Sequence, residues 1–432
     1  MKINIFLVFL SLCLLSCGSE SSSVESEAPE SITPPNILLI ITDDMGKDAT
    51  PNYPEGTQKP HMPHLQNLIN SGITFDNVWA YSVCSPTRAA ILTGKYGYHT
   101  GVLEVEQDIS LSEVSLHEYI DTQSPYDYDT ALIGKWNLSN VVTDPNTMGI
   151  DYYSGILGGG VSSYTNWMNV TNGTRNNNTE YVTTQLTDTA INWINQREKP
   201  WFLWLAYNAP HTPFHLAPTE LHQQGSLPID AASIDSNPLP YYFSAIEAID
   251  HEMGRLIESL PGGFENTLII FLGDNGSPGA VVQTPYTRRR TKGSIYQGGI
   301  NVPMIVAGNG VNHKGVREEA LIHVTDIFST IANATGVTTP NIYNSQSFYS
   351  LFSNTNDLPR TTVYTEKSSD NVISYTLRDA QFKLIVTADG SEELYDLVND
   401  AYESTNLLNS TLTDKAAIAL ENLRTEAIRI RS

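Results

Sequence analysis

Apolar residues along this chain fall into two spacings. Residues 36–42 (NILLIIT), 129–134 (DTALIG), 201–206 (WFLWLA), 267–272 (TLIIFL) and 304–307 (MIVA) are nearly unbroken apolar runs of strand length. A run that is apolar at every position, rather than at every second one, predicts a strand buried on both faces, as in a largely parallel sheet with helices on either side. Residues 73–78 read as a further strand. Helical spacing marks the stretches between. Val182, Leu186, Ala190, Ile191 and Ile194 share one face of a predicted helix over 180–197, and Ile246, Ile249, Met253, Leu256 and Ile257 one face over 241–260. Residues 61–70, 112–120 (with Ser112 as N-cap) and 323–334 predict further helices. Residues 139–178, rich in Gly, Asn and Thr, read as irregular surface loops bordering a pocket. Beyond residue 360 the character changes. Short strands at 361–365, 374–378 and 382–386, a turn at Asp389-Gly390 and a helix over 414–430 predict a small C-terminal unit. No internal repeat is visible.

The first 17 residues carry one early lysine, an apolar stretch and Leu14-Leu15-Ser16-Cys17. The stretch is too short to span a membrane, reads as a signal peptide, and resembles a bacterial lipobox with Cys17 as the lipidated residue. Residues 18–34 are Ser/Glu-rich and read as a flexible tether. The expectation is an exported lipoprotein held to the membrane through Cys17, facing the periplasm or on the outer-membrane surface. The remaining chain divides into a catalytic portion over 35–355 and a C-terminal subdomain over 356–432. A formal net charge of −23 over 432 residues argues against nucleic acid as a partner. It also means that an anionic ligand must be held by a local basic site.

The chemistry-bearing residues stand at the ends of the predicted strands. Asp43-Asp44 follow the first run, Lys135 closes the second, His211 lies just after the third, and Asp274-Asn275 follow the fourth. Ligands of open α/β sheets bind at such ends. Two adjacent carboxylates repel, and a cation stabilises both; a solvated turn is the alternative. Of three cysteines, Cys84 alone is expected to remain an ordinary residue of the folded protein. Pro86 and the run 88–92 put it at a helix N-terminus, where the dipole lowers a thiol pKa.

CSPTRAAILTG, residues 84–94, resembles the signature of the type I sulfatases. GKWNL at 134–138, NAPHTP at 208–213, GDNG at 273–276 and KGSIYQGGINVP at 292–303 are similar to further motifs of that family, in family order. The resemblance runs from 36 to 408. It implies an alkaline-phosphatase-like α/β sandwich: a large mixed, mostly parallel sheet flanked by helices, plus a small C-terminal antiparallel sheet with a helix. It implies hydrolysis of a sulfate ester, on a sulfated polysaccharide or oligosaccharide by analogy. In the implied chemistry Cys84 is oxidised by a maturation enzyme to formylglycine, whose hydrate is the nucleophile. Asp43, Asp44, Asp274 and Asn275, with position 84, hold a divalent metal; Arg88, Lys135 and Lys292 hold the sulfate; His211 protonates the leaving oxygen; Asp274 assists deprotonation of the nucleophile. An all-oxygen set suits calcium, with magnesium the alternative, and a thiolate suits neither. Arg288, Arg289, Arg290 and His215 are candidates for substrate contacts.

The chain departs from the family pattern at Asn137, where histidine is usual. Asparagine donates a hydrogen bond but is no base at neutral pH, so the step that releases sulfate loses its usual base, and His99 is the nearest substitute in sequence. Gln297 and Asn301 also depart from the pattern, away from the implied chemistry. Three other readings stay open: a phosphodiester or phosphonate hydrolase of the same superfamily, a protein that binds sulfated glycan without turning it over, and an enzyme using the Cys84 thiolate.

Overall fold

Alternate residues of the first strand enter two different cores. Ile37, Leu39 and Ile41 face one, Leu38 and Ile40 the other, and all five are fully buried. This is the physical reason for the unbroken apolar run, and each such side chain contributes about 1.5–3 kcal/mol of burial. The computed structural model describes residues 34–353 and 358–432. The predicted signal segment, Cys17 and the tether up to residue 33 lie outside the described residues. Within them no helix is long and apolar enough to cross a membrane.

The main sheet has ten strands: β1 (Asn36–Thr42), β2 (Gly72–Trp79), β3 (Asp129–Lys135), β4 (Tyr152–Ile156), β5 (Trp167–Thr171), β6 (Thr174–Asn178), β7 (Trp201–Ala206), β8 (Thr267–Gly273), β9 (Asn301–Gly308) and β10 (Val316–His323). Their spatial order is β10-β2-β9-β8-β1-β7-β3-β4-β5-β6. The central strands β8, β1, β7, β3 and β4 are mutually parallel. β9 runs antiparallel to both β8 and β2. Two reversals restore the direction, so β2 points the same way as β8, and the segments after β1, β2, β3, β7 and β8 leave from one edge. β9 starts at that edge, which brings the residues just before it there as well. Helices Cys84–Thr93, Leu116–Gln123 and Asp326–Ala334 cover one face, and Pro63–Ser71, Val182–Ile194 and Leu239–Glu258 the other.

The C-terminal region holds a two-strand pair, β11 (Asn341–Ile342) with β12 (Ser345–Gln346), and an antiparallel sheet of β13 (Val363–Ser369), β14 (Val372–Arg378), β15 (Phe382–Val386) and β16 (Glu392–Asp396). Helix Asp414–Arg431 lays Ala416, Ala419, Leu420, Leu423 and Ala427 on it, and Thr413 caps its first turn by accepting from Ala416 N at 3.3 Å.

Three expectations need correction. Residues 139–178 are not simply loop: β4, β5 and β6 extend the main sheet there. Its outer strand, TRNNN, is polar because both its faces meet solvent, so no hydrophobic pattern marks it. β10 precedes helix Asp326–Ala334, which takes only part of the predicted 323–334. The helix predicted from Ser112 begins at Leu116, and its cap is Ser115, whose Oγ accepts from Glu118 N at 3.0 Å.

Candidate active site

Five strand-end segments meet at one point. β1 delivers Asp43 and Asp44, β8 delivers Asp274 and Asn275, and all four are buried. β3 delivers Lys135 on the preceding Gly134, whose φ of +116° and approach to Ala206 O (1.9 Å from where a Cβ would lie) exclude any side chain. The segment after β2 places Cys84 at the first turn of helix Cys84–Thr93. Gly94, with φ of +67°, ends that helix and donates to Ala90 O.

The charges interlock. Lys135 Nζ lies 2.5 Å from Asp43 Oδ2, both fully buried. Arg88 Nη2 donates to Asp274 Oδ2 at 2.8 Å and stands 3.9 Å from Asp43 Oδ1. Its Nη1 donates to the Lys135 carbonyl at 3.0 Å. Lys292 Nζ reaches both carboxylate oxygens of Asp44 at 2.6 Å. Asp44, held in the left-handed region at φ of +73°, donates its N–H to Asp274 Oδ1 at 3.0 Å. His211 Nε2 is 3.7 Å from Asp44 Oδ2, on the open side of the cluster, with a fifth of its side chain exposed. Asn137 Nδ2 donates to Cys84 Sγ at 3.1 Å and to Ser85 Oγ at 2.9 Å.

Titration follows from this packing. Burial pushes Asp43 up, but Lys135, His211, Arg88 and Lys292 outweigh it and hold the carboxyl below the usual range. Burial and then the charge of Asp43 carry Asp274 up to about 7. Burial disfavours the charged form of Lys135, yet Asp43 and the other neighbours hold it above its ordinary value. The sequence-based expectation for Cys84 is overturned. Burial raises its thiol; Lys135 and Lys292 favour a thiolate, but Asp43 and Asp274 oppose it, and with burial they leave the thiol above its ordinary value.

A hard cation fits this cluster. Asp43 Oδ1 and Asn275 Oδ1 are buried acceptors with no hydrogen-bond donor, a costly condition that a cation relieves. Ligand atoms of Asp43, Cys84 and Asp274 lie within 4.8 Å of one another, as do those of Asp43, Asp44 and His211. The carboxylate and amide oxygens are of the kind calcium and magnesium take.

The other predicted residues lie apart. His99 is bound to Asn344 Oδ1 at 2.7 Å and lies tilted against the Tyr98 ring, in a cavity with Arg360 and Arg429. It therefore does not stand in for the missing histidine. Arg290 turns toward the C-terminal sheet, donates to the Glu403 carbonyl and lies over the Tyr296 ring, whereas Arg288 and Arg289 are exposed. His215 packs on Tyr164 and accepts from or donates to Tyr181 Oη at 2.9 Å. Burial pulls it down to about 4.

Several supporting residues escaped the sequence reading. Tyr242 donates to the Asp44 carbonyl at 2.7 Å. Thr87 Oγ1 donates to the Asp274 carbonyl at 2.8 Å and accepts from Tyr81 N at 3.1 Å. Ser277 Oγ accepts from Gly46 N at 3.1 Å and donates to buried Asp48 at 2.6 Å. Ser and Thr inside family-like motifs give no local signal of such partners.

Comparison with known proteins agrees with this geometry. The sequence profile of the sulfatase family matches residues 35–337, and that of the N-sulphoglucosamine sulphohydrolase C-terminal region matches 289–429. The uncharacterized sulfatase YdeN of Escherichia coli is 27% identical over 368 residues, covering 71% of this chain; the chain spans only 63% of that relative's length. The ulvan-active sulfatase of Formosa agariphila is 26% identical over 439 residues, covering 92% of this chain and 81% of the relative. The crystal structure of Ps i-CgsB in complex with k-i-k-neocarrahexaose superposes with a TM-score of 0.77 at 24% identity, covering 92% of each chain, a likeness of fold. The motif order, the clustered strand ends and the match over 35–337 together place this chain in the sulfatase family.

Proposed function

We propose that the protein hydrolyses a sulfate ester on a sulfated polysaccharide or oligosaccharide. The observation that carries this reading is the position of residue 84, bound by Asn137 and facing a largely buried cluster of cations and carboxylates with two orphan oxygen acceptors. In this reading a maturation enzyme converts Cys84 to formylglycine, which supplies the oxygen nucleophile, and a divalent cation held by Asp43, Asp44, Asp274, Asn275 and position 84, calcium before magnesium, supplies Lewis-acid polarisation. Arg88, Lys135 and Lys292 offset charge on the sulfate oxygens from fixed positions. In this reading Asp274 assists deprotonation of the nucleophile. His211 gives a proton to the departing alcohol from the open side. Asn137 orients position 84 by its amide and takes no proton. One relative acts on ulvan and one structural neighbour holds a carrageenan-type hexaose, which supports a polysaccharide-derived substrate here.

The same reading divides the chain into a catalytic portion at 35–355 and a subdomain at 356–432. The first 17 residues support export as a lipoprotein anchored through Cys17, at the periplasmic face or the cell surface. Loss of fatty-acid labelling in Cys17→Ser tests the anchor.

The deciding experiment is the mass of the peptide carrying Cys84, from protein made in its native host, joined to paired assays on sulfate and phosphate esters. Formylglycine with sulfate release is expected. An unmodified thiol, in a host that matures other sulfatases, sinks the mechanism. Turnover of the phosphate ester alone reassigns the enzyme within the superfamily.

A further inference from the structure

Asp76 and Asn77, neighbours in β2, gather three cations from three other parts of the chain. Lys47 Nζ donates to the Asp76 carbonyl at 2.5 Å and to Asn301 Oδ1 at 2.9 Å. Arg317 of β10 pairs with the Asp76 carboxylate, through Nε at 3.1 Å and through Nη2. Arg378, at the end of β14, donates Nη1 to Asn77 Oδ1 and Nε and Nη2 to the carbonyls of Asp379 and Ala380, all at 2.9 Å. Of the three, only Arg317 has a carboxylate. Lys47 is 3% and Arg378 6% exposed, and neither makes an ion pair among the described residues. A buried cation without a counter-charge is costly. It stands out in a chain with 47 acidic residues against 24 basic ones.

These cations line one cavity of about 390 Å³, in the seam between the main sheet and the loop that follows β16. None of the residues around it belongs to the candidate active site. Gln297, 3% exposed, lines it too, and its Nε2 has no acceptor. Lys47 has used two of its three N–H donors and Arg378 three of its five. Burial pulls Lys47 down to about 8; Glu55 and Asp76 oppose this, and Arg317 and Arg378 add to it. The wall also holds one buried acid. Glu55 accepts from Tyr286 Oη at 3.3 Å on one oxygen, and the other, Oε2, has no donor. The cavity thus offers spare donors on two cations and an amide, and one spare carboxylate acceptor.

We infer that this cavity is a binding site for a hydroxylated organic anion, of the class of an acidic sugar unit. Lys47 and Arg378 take its carboxylate or sulfate, and Glu55 takes a hydroxyl. An oxyanion meets the two cations that lack a carboxylate, and a hydroxyl supplies the donor that Glu55 Oε2 lacks. A simple inorganic anion would leave Glu55 unpaired beside a second negative charge. The volume is that of a small-molecule site. The inference is independent of the sulfate-ester reading.

The test is calorimetry on the full-length protein with glucuronate and glucose 6-sulfate. Acetate and inorganic sulfate are the matching ions, and glucose is the neutral sugar. The variants are Lys47→Met, Arg378→Gln and, to disable the candidate active site instead, Lys292→Ala. At least one acidic sugar is expected to bind wild type and Lys292→Ala equally, at least tenfold more tightly than its matching ion or glucose. That affinity should fall at least tenfold in Lys47→Met and in Arg378→Gln. No binding of either acidic sugar, unchanged affinity in both seam variants, or loss in Lys292→Ala alone overturns the inference. Ions that bind as tightly as the sugars reduce the cavity to an inorganic-anion site and overturn it as well. Each seam variant removes a buried charge that has no carboxylate, which favours folding. If either fails to fold, hydrogen exchange of the wild type decides. Slower exchange over 376–380 and 397–402 on adding glucuronate or glucose 6-sulfate keeps the site, and no change there removes it.

Discussion

The side-chain amide of Asn137 donates to the sulfur of Cys84 at 3.1 Å, with Asn137 itself in the left-handed region at φ of +54°. Asparagine tolerates that backbone better than most residues, and its amide orients position 84, yet it gives the site no base beside it. Under the proposed mechanism the alcohol therefore leaves faster than sulfate. Rapid-quench measurement should find a burst of alcohol release followed by a slower steady state. Asn137→His should raise the steady rate, on the order of tenfold to a hundredfold, by restoring a group that accepts a proton. A variant that is slower than the wild type, with no burst in either, would place the proton elsewhere.

Cation affinity should depend on pH with a definite sign. Burial and the charge of Asp43 hold the Asp274 carboxyl up at about 7, and a hard cation needs that group ionised. Above pH 8 the proton is gone and affinity is level. Below 7 the proton competes, and calcium affinity falls about tenfold per pH unit. Calorimetry at pH 6, 7 and 8 checks this. A flat profile would mean that Asp274 takes no part in holding the ion.

Replacing Gly134 by alanine should unfold the site. The new methyl would meet the Ala206 carbonyl at 1.9 Å, on a backbone at φ of +116° that alanine avoids. The loss expected is at least about 3 kcal/mol, read as a drop in the urea midpoint. Lys135 follows Gly134 directly, so sulfate-ester turnover should fall further than stability alone accounts for.

Acid should weaken the fold through its buried histidines. Burial holds His117 at about 3, and burial, then Arg360, holds His323 far below its ordinary value. The folded protein refuses protons that the unfolded chain accepts below about 6.5. Their contribution is therefore complete above that pH and is lost as pH falls toward the folded values. His117 alone accounts for about 2 kcal/mol between pH 6.5 and 5. Denaturant midpoints measured across that range should decline, and His117→Gln should flatten the decline.

Much of this architecture is legible in the chain, because its information is local. β1, β3, β7 and β8 are apolar at nearly every position, and the residues that follow them are the ones that meet in the cluster. What escaped is what depends on partners far away. β6 is polar on both faces, and only its pairing with β5 makes it a strand. A helix N-terminus predicts a low thiol pKa for Cys84, but full enclosure, helped by two carboxylates from other strands, reverses it. His99 stands only 15 positions from Cys84 in sequence, yet its side chain points to Asn344.

The wall around Cys84 is built late. Arg88 and Asp274, which close the floor beneath it, are 186 positions apart, and Lys292 comes later still. A chain emerging from the ribosome presents its cysteine long before the second half exists to cover it. Any enzyme or reagent that must reach this sulfur therefore has an interval set by chain synthesis and collapse, and the finished protein, with Cys84 only 3% exposed, closes it.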